Sequence, residues 1–402
     1  MRGIPILAVG GAGLALNLFC AAAHAEGDLV LGRLIDPQVY ARAGGIAAIS
    51  VGTISCNAGD KVLLWRRLPN NKHPVISMNL YRLMDGRMEQ IGQSWVKHGF
   101  AVASGNTCLL GCRPTPDPSQ NLGIGCSDPY SGDLNEGENL RPRAEINATT
   151  GSFDGTAVNI PLPQIQTPID RGLQVREADL VSPNARYFIE GHYIHPEDAE
   201  SGNGNNNASY REVKFERLAN GNFAITTSGQ TIMRRPAIKA WEGADFVNID
   251  APEAKVGNRD LSSRVIVASK VVQVDAFRHR YEYAVHNVNS ERGIRSFSVP
   301  IGSLAADKIS SIGFKAVLSH GQPWSNDPWQ AKVENNRVTW STKTHAEDPN
   351  ANAIRWGTTY NFWFDAMAAP IEAPTSLGRF KPGQGPEMLP ALIESPGRPV
   401  TP

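Results

Sequence analysis

The sequence predicts a mainly β protein, built from one or two antiparallel sandwich-like units with few short helices. Three observations support this prediction. Apolar and polar residues alternate in many short segments, those segments are rich in β-branched and aromatic residues, and turn residues separate them. Hydrophobic residues make up 41% of the 402 positions and charged residues 19%, so the chain can form a sizeable core.

The strand signals extend along most of the chain. In the N-terminal half they are Gly45 to Cys56, Lys61 to Trp65, Val75 to Leu83 and Arg186 to His195. In the C-terminal half they are Ser263 to Val274, Tyr281 to Val288 and the alternating Tyr360, Phe362 and Phe364. The best helix signal is Gln93 to Ala103, where Trp95 and Phe100 could share a face.

Composition divides the chain into four segments. Residues 1–25 predict a signal peptide, because the apolar run from Ile4 to Ala23 ends at the small-x-small site Ala23-His24-Ala25. Cleavage near Ala25 would leave a secreted or periplasmic protein with no transmembrane segment, whereas a retained membrane helix is the alternative. Residues 26–168 are predicted to form a disulfide-containing β region, residues 169–369 a sandwich-like region, and residues 370–402 a proline-rich disordered tail.

Four cysteines follow the predicted leader, and all lie in the N-terminal third: Cys56, Cys108, Cys112 and Cys126. An even number of cysteines in an exported chain predicts two disulfides, with three possible pairings. They would hold a long loop rich in Pro, Gly, Asp and Asn, from Cys108 to Leu140. The alternative is a metal site that uses Cys108 and Cys112 with a histidine.

Net charge excludes one class of partner. Basic and acidic residues number 39 each, and no long run of like charge occurs. The chain therefore lacks the positive field that gathers nucleic acid.

The standard catalytic and cofactor motifs do not occur in this sequence. Polar residues that could carry chemistry are instead concentrated between positions 73 and 147. His73 and His98 are candidate metal ligands, with a transition metal as the possible cofactor, and His98 is also a candidate general base. The remaining candidate catalytic residues are Asp128, Tyr130, Arg143 and Glu145. For each, a structural role in a turn, a salt bridge or the core is the alternative.

Two tryptophans suggest a carbohydrate-binding surface. Trp324 and Trp329 flank Ser325-Asn326-Asp327-Pro328 in a turn-rich segment. Exposed aromatic rings can bind the apolar faces of sugars, so both are candidate substrate-binding residues. Burial in a core is the alternative.

Five motifs together resemble those of one family. They are QSWVKHGF (93–100), GCSDPY (125–130), RPRAEIN (141–147), NNASYR (206–211) and AIRWG (353–357). The family is a group of large exported proteins from environmental bacteria, and the resemblance spans Gly45 to Pro370. It implies export but no particular activity. The C-terminal part also resembles exported bacterial β-sandwich domains, at Tyr281 to Asn287, Phe297 to Pro300 and Gly357 to Phe362.

Two functions agree with these observations. The density of Trp, His, Arg, Asp and Asn between Trp95 and Asn147 favours an extracellular hydrolytic or metal-dependent enzyme acting on a polymer, with its site in residues 73–147. The alternative is a non-catalytic extracellular protein that binds a polymer, a carbohydrate or a surface. This alternative explains the absence of catalytic motifs and the balanced charge.

Overall fold

A computed structural model describes residues 25–154, 162 and 164–399. These residues form a mainly β structure with several antiparallel sheets, which confirms the predicted fold class. The one α-helix in the described part of the chain, α1, is Pro196–Ser201. No helix in those ranges is both long and apolar enough to cross a bilayer. The predicted signal peptide lies outside the described residues, except for Ala25.

The first unit contains fourteen strands. They are β1 (Leu29–Ala43), β2 (Ile46–Asn57), β3 (Leu63–Leu64), β4 (Val75–Met84), β5 (Arg87–His98), β6 (Asn121–Leu122), β7 (Ser127–Tyr130), β8 (Leu140–Arg141), β9 (Ile146–Asn147), β10 (Ser152–Phe153), β11 (Leu173–Arg176), β12 (Arg186–Ile194), β13 (Ala208–Arg217) and β14 (Phe223–Ile232). Ten of them form one antiparallel sheet in the order β1-β2-β11-β5-β4-β12-β13-β14, where β7 pairs with β2 and β8 with β5.

This large sheet curls so that its first strand packs against its last strands. The Leu34 amide of β1 donates to Thr231 Oγ1 of β14 at 2.9 Å. Ser209 of β13 donates to the Leu31 carbonyl of β1 at 2.7 Å. The apolar side chains enclosed by the curl form the first core, which includes Trp65.

The second unit is a β-sandwich of ten strands. They are β15 (Asp245–Val256), β16 (Arg259–Gln273), β17 (His279–Asn287), β18 (Ile294–Pro300), β19 (Ile309–Ala316), β20 (Gln330–Glu334), β21 (Arg337–Ser341), β22 (Thr358–Ala366), β23 (Ala368–Arg379) and β24 (Met388–Pro399). The sheets β15-β16-β17-β22-β19 and β20-β21-β18-β23-β24 are both antiparallel. Between them lies an aromatic core that contains Tyr283, Phe297, Trp340, Phe362 and Phe364. Alternation at Tyr360, Phe362 and Phe364 predicted this inward face correctly.

The structure differs from three predictions of local organisation. Residues 93–98, predicted as part of a helix, belong to β5, because pairing with β4 satisfies their backbone groups. Residues 370–399 of the predicted disordered tail belong to the β23–β24 hairpin, which buries Leu377, Leu389 and Ile393. Pro390, Pro396 and Pro399 are tolerated on β24 because it is an edge strand. Residues 173–232 pair within the first sheet, so the boundary between the units lies after β14 rather than at residue 168.

An apolar cluster joins the two units. Tyr81, Met88 and Phe188 of the first sheet pack with Trp241 of the connecting segment and with Ile266 of the sandwich. Burial of this apolar surface favours association of the two units.

A buried carboxylate links the sheets of the sandwich. Glu253 of β15 forms an ion pair with Arg379 of β23, and their side chains are 3% and 0% exposed. Ser290 Oγ, Thr149 Oγ1 and the Arg292 amide also donate to Glu253, at 2.7, 2.9 and 2.7 Å. Burial acts to raise the pKa of Glu253, but the hydrogen bonds and the charge of Arg379 outweigh it and hold the pKa below its usual value.

We expect Glu253→Ala to lower the free energy of unfolding by about 3–5 kcal/mol, because it leaves the Arg379 charge buried and unpaired. Urea denaturation measures the change. Asp250→Ala is the matched control on the same strand, since its ion pair with Arg264 is partly exposed and is worth at most about 1 kcal/mol. Equal losses in the two variants would contradict this role of the Glu253–Arg379 pair. The double variant Glu253→Met and Arg379→Met leaves no buried charge unpaired, so it should recover part of the lost stability.

Candidate functional site

Two disulfides hold the long loop that precedes β7. Cys56 is bonded to Cys108, and Cys112 to Cys126. The count of two disulfides is therefore confirmed, and the structure selects one of the three pairings. The alternative metal site at Cys108 and Cys112 is wrong, because both sulfur atoms are committed to these bonds.

His73 and His98 contact each other through their rings. His73 Nε2 and His98 Nδ1 lie 2.9 Å apart, so one ring donates to the other. Phe153 packs on both rings, with centroids at 5.0 and 4.8 Å. Burial lowers the pKa of His73 to about 4 and that of His98 to about 3, so both are neutral at physiological pH. In the described part of the chain, no three His, Cys, Asp or Glu residues come together in a way that could hold a metal ion.

Asp128 and Tyr130 lie on β7, behind the loop. Tyr130 Oη accepts from Trp65 Nε1 at 3.0 Å and from the Phe100 amide at 3.2 Å, and it donates to the Ala101 carbonyl at 3.2 Å. Asp128 is 1% exposed and accepts from the Ala103 amide at 2.7 Å. Burial raises the pKa of Asp128 to about 7. Both side chains thus fix the path of residues 100–103.

Arg143 is fully buried between the two units. Its guanidinium donates to the carbonyls of Ser94 and Met78 at 2.5 and 3.1 Å, and to Asn79 Oδ1 at 2.8 Å. A longer bond, 3.4 Å, reaches the Gly357 carbonyl of the second unit. Burial lowers the pKa of Arg143 to about 10, although the nearby Glu190 charge opposes that effect.

Gly357 is required at this contact. Its φ is +68°, and a Cβ there would lie 2.8 Å from Arg143 Nη1. The neighbouring Trp356 ring packs 5.3 Å from the Arg143 guanidinium. Three of the five family-like motifs, those at 93–100, 141–147 and 353–357, therefore meet at one buried side chain.

Sequence reasoning missed the residues around Arg143. Glu190 of β12 accepts from Asn79 Nδ2 and from the Ala237 amide, both at 2.6 Å, and burial raises its pKa to about 7. His192 and His286 are also fully buried, and burial lowers the pKa of each to about 3. No local pattern marks these residues, because they meet only when strands from both units pack together.

The remaining candidates do not join a common site. Glu145 forms an ion pair with Arg141, with Oε2 and Nε 3.1 Å apart. Trp329 is 4% exposed and packs on Phe314 at 5.7 Å in the sandwich core, so the prediction of an exposed sugar platform is wrong there. Trp324 is half-buried, and the Arg355 guanidinium lies 5.2 Å from its ring.

No protein-family model matches the chain, and no curated protein matches it. Among solved structures, the chain is similar to the exo-β-D-glucosaminidase CsxA at 9% identity and a TM-score of 0.18, over 87% of this chain and 25% of that one. It is also similar to the serine-rich repeat adhesion glycoprotein Srr1 from Streptococcus agalactiae, at 6% identity and a TM-score of 0.20, over 93% and 97% of the chains.

A third likeness is to the C-terminal domain of the antigen I/II-family protein AspA from Streptococcus pyogenes. The identity is 9% and the TM-score 0.17, over 91% of this chain and 98% of that one. This chain spans about a quarter of the length of the glucosaminidase. At such low TM-scores, none of the three likenesses carries an argument about function.

We expect Arg143→Ala to lower the free energy of unfolding by about 3–5 kcal/mol, because the acceptors around it would remain buried without a donor. Arg113→Ala, in the exposed part of the disulfide loop, is the control and should change stability by less than about 0.5 kcal/mol. Thermal and urea unfolding measure both variants. A stable, folded Arg143→Ala protein would contradict the structural role of this side chain.

Asp128→Asn should change how stability depends on pH. The wild-type carboxyl keeps its proton in the folded state up to about pH 7, whereas the unfolded chain releases it near pH 4. The free energy of unfolding of the wild type therefore falls between about pH 4 and pH 7 as the pH rises. That of the Asn variant does not depend on this group, so the difference between the two proteins shifts in favour of the variant by up to about 4 kcal/mol. Unfolding at pH 4, 5.5 and 7.5 measures the difference, with the exposed Ser131→Ala as the control. A constant difference would show that Asp128 is ionised throughout.

Proposed function

We propose that this protein is a non-catalytic extracellular protein that binds a polymer or surface, with carbohydrate as the preferred class of ligand. The observation that supports the proposal most directly is the commitment of the predicted catalytic side chains to the fold. His98, Tyr130 and Arg143 are buried, and each is bonded to another protein group. A catalytic group must reach the substrate, usually with an atom left free to exchange a proton.

The location proposed here agrees with the chemistry of the cysteines. Disulfides persist in oxidising compartments, and all four cysteines between Cys56 and Cys126 are paired. The resemblance to exported bacterial proteins supports the same location. A mainly β architecture with curled and stacked sheets is also common among exported binding proteins.

One observation favours the alternative, an extracellular hydrolytic or metal-dependent enzyme. Asp128 Oδ2 is buried and has no hydrogen-bond partner among the described residues, and burial brings the pKa of this carboxyl to about 7. A carboxyl that titrates near neutral pH is suited to general acid–base catalysis. Asp128 therefore remains the candidate by which an enzyme and a binding protein can be distinguished.

The test uses the full chain, exported to an oxidising compartment. It is incubated with a panel of insoluble and soluble polysaccharides, in buffers with and without added zinc, copper or iron. We expect retention on at least one polymer without release of soluble fragments, and equal retention of Asp128→Asn. Fragments released by the wild type but not by Asp128→Asn would establish the enzyme instead. Absence of retention on every polymer would contradict the binding function.

A further inference from the structure

A cavity of about 460 Å³ lies where the two units meet. Arg234 and Arg235 line it just after β14, Lys239 lies in the connecting segment, and Arg264 projects from β16. We call this cavity the cationic pocket. Its volume is within the range of small-molecule binding sites.

Positive charge in the cationic pocket is only partly balanced. Arg234 pairs with Asp28 at 2.9 Å, and Arg264 with Asp250 at 2.7 Å. Among the described residues, neither Arg235 nor Lys239 has a carboxylate partner, and none of the lining residues is acidic. The pocket therefore has an excess of about two positive charges, as expected of a site for an anion.

Lys239 is partly buried in the cationic pocket and feels the charges of two other lining residues. Its Nζ lies 4.3 Å from the centre of the Phe246 ring. Burial lowers the pKa of Lys239 to about 8, and the charges of Arg264 and Arg235 act in the same direction. A bound anion would offset this repulsion and raise the pKa of Lys239.

Neutral polar groups complete the lining. Asn205 lies on the loop after α1, and its buried Oδ1 has no hydrogen-bond partner among the described residues. Asn248 of β15 is exposed at the rim of the same pocket. The side-chain amides of Asn205 and Asn248 are groups that can donate to or accept from a ligand hydroxyl.

We infer that the cationic pocket binds an acidic sugar residue, with the anionic group at Arg235 and Lys239 and the sugar hydroxyls at Asn205 and Asn248. The inference rests on the proposed binding function and specifies its ligand class. A saccharide is favoured over a nucleic acid, because the excess charge is confined to one pocket in a chain with no net charge. A saccharide is favoured over an acidic peptide because the side-chain amides of Asn205 and Asn248 suit the hydroxyl groups that a sugar carries beside its charge.

The test measures binding of the full chain to uronic-acid, sulfated and neutral oligosaccharides of matched length by calorimetry. We expect at least one acidic oligosaccharide to bind at least about tenfold more tightly than its neutral counterpart, and high salt to weaken binding. Combined Arg235→Gln and Lys239→Gln should weaken it by at least about tenfold. Lys332→Gln, which removes an exposed charge from β20, is the matched control and should bind as the wild type does.

Three results would overturn the inference. They are equal binding of acidic and neutral sugars, full binding by the double variant, and binding of inorganic sulfate or oligo-glutamate as tight as that of the best acidic sugar. If a neutral polymer is retained equally by wild type and double variant, the binding function stands and the cationic pocket is not its site. If no polymer or oligosaccharide binds at all, both proposals fail.

Discussion

The arrangement of this protein depends on one buried cation. The Arg143 guanidinium comes from the loop before β9, donates to main-chain carbonyls of β4 and β5, and reaches the Gly357 carbonyl of the second unit. A buried charge is tolerated only when its hydrogen bonds are satisfied and an opposite charge is near. The Asn79 side chain connects Arg143 to the carboxyl group of Glu190, because it forms hydrogen bonds to both. The loop, the large sheet and the sandwich must therefore come together as one arrangement.

This constraint explains why residues 73–147 have the composition of an active site. Many polar side chains in that region satisfy backbone groups where the loop crosses the sheet. Tyr130 bonds the turn at Phe100 and Ala101, and the His73–His98 pair lies beneath Phe153. Burial keeps these histidines neutral, so they can lie close together without electrostatic cost. A segment rich in polar residues is therefore as typical of a loop that crosses a sheet as of a catalytic site.

The sequence predicts structural features that depend on local patterns of residues. It fails for segments whose conformation or burial depends on residues that are distant in the sequence. Alternation at Tyr360, Phe362 and Phe364 identified a strand and its inward face, and the even cysteine count gave two disulfides. The segment after Gln93 became a strand because β4 lies beside it, although its apolar spacing also suits a helix. The proline-rich end became a hairpin for the same kind of reason, since β18 and the sandwich core were available to it. Trp329 likewise lies in a core whose other members are distant in sequence.

Charge balance also acts differently at the scale of the whole chain and at the scale of one pocket. Equal numbers of basic and acidic residues leave no net charge to attract polyanions from a distance. Salt also screens the local fields beyond roughly one Debye length, about 8–10 Å. Inside the cationic pocket the charges are not balanced, since Arg235 and Lys239 line one small cavity that has no acidic lining residue. Asp28 and Asp250 are already paired with Arg234 and Arg264. A neutral chain can therefore bind an anionic group at one point without attracting polyanions in general. Such binding favours short anionic segments that carry other recognisable groups, and sugar hydroxyls are groups of that kind.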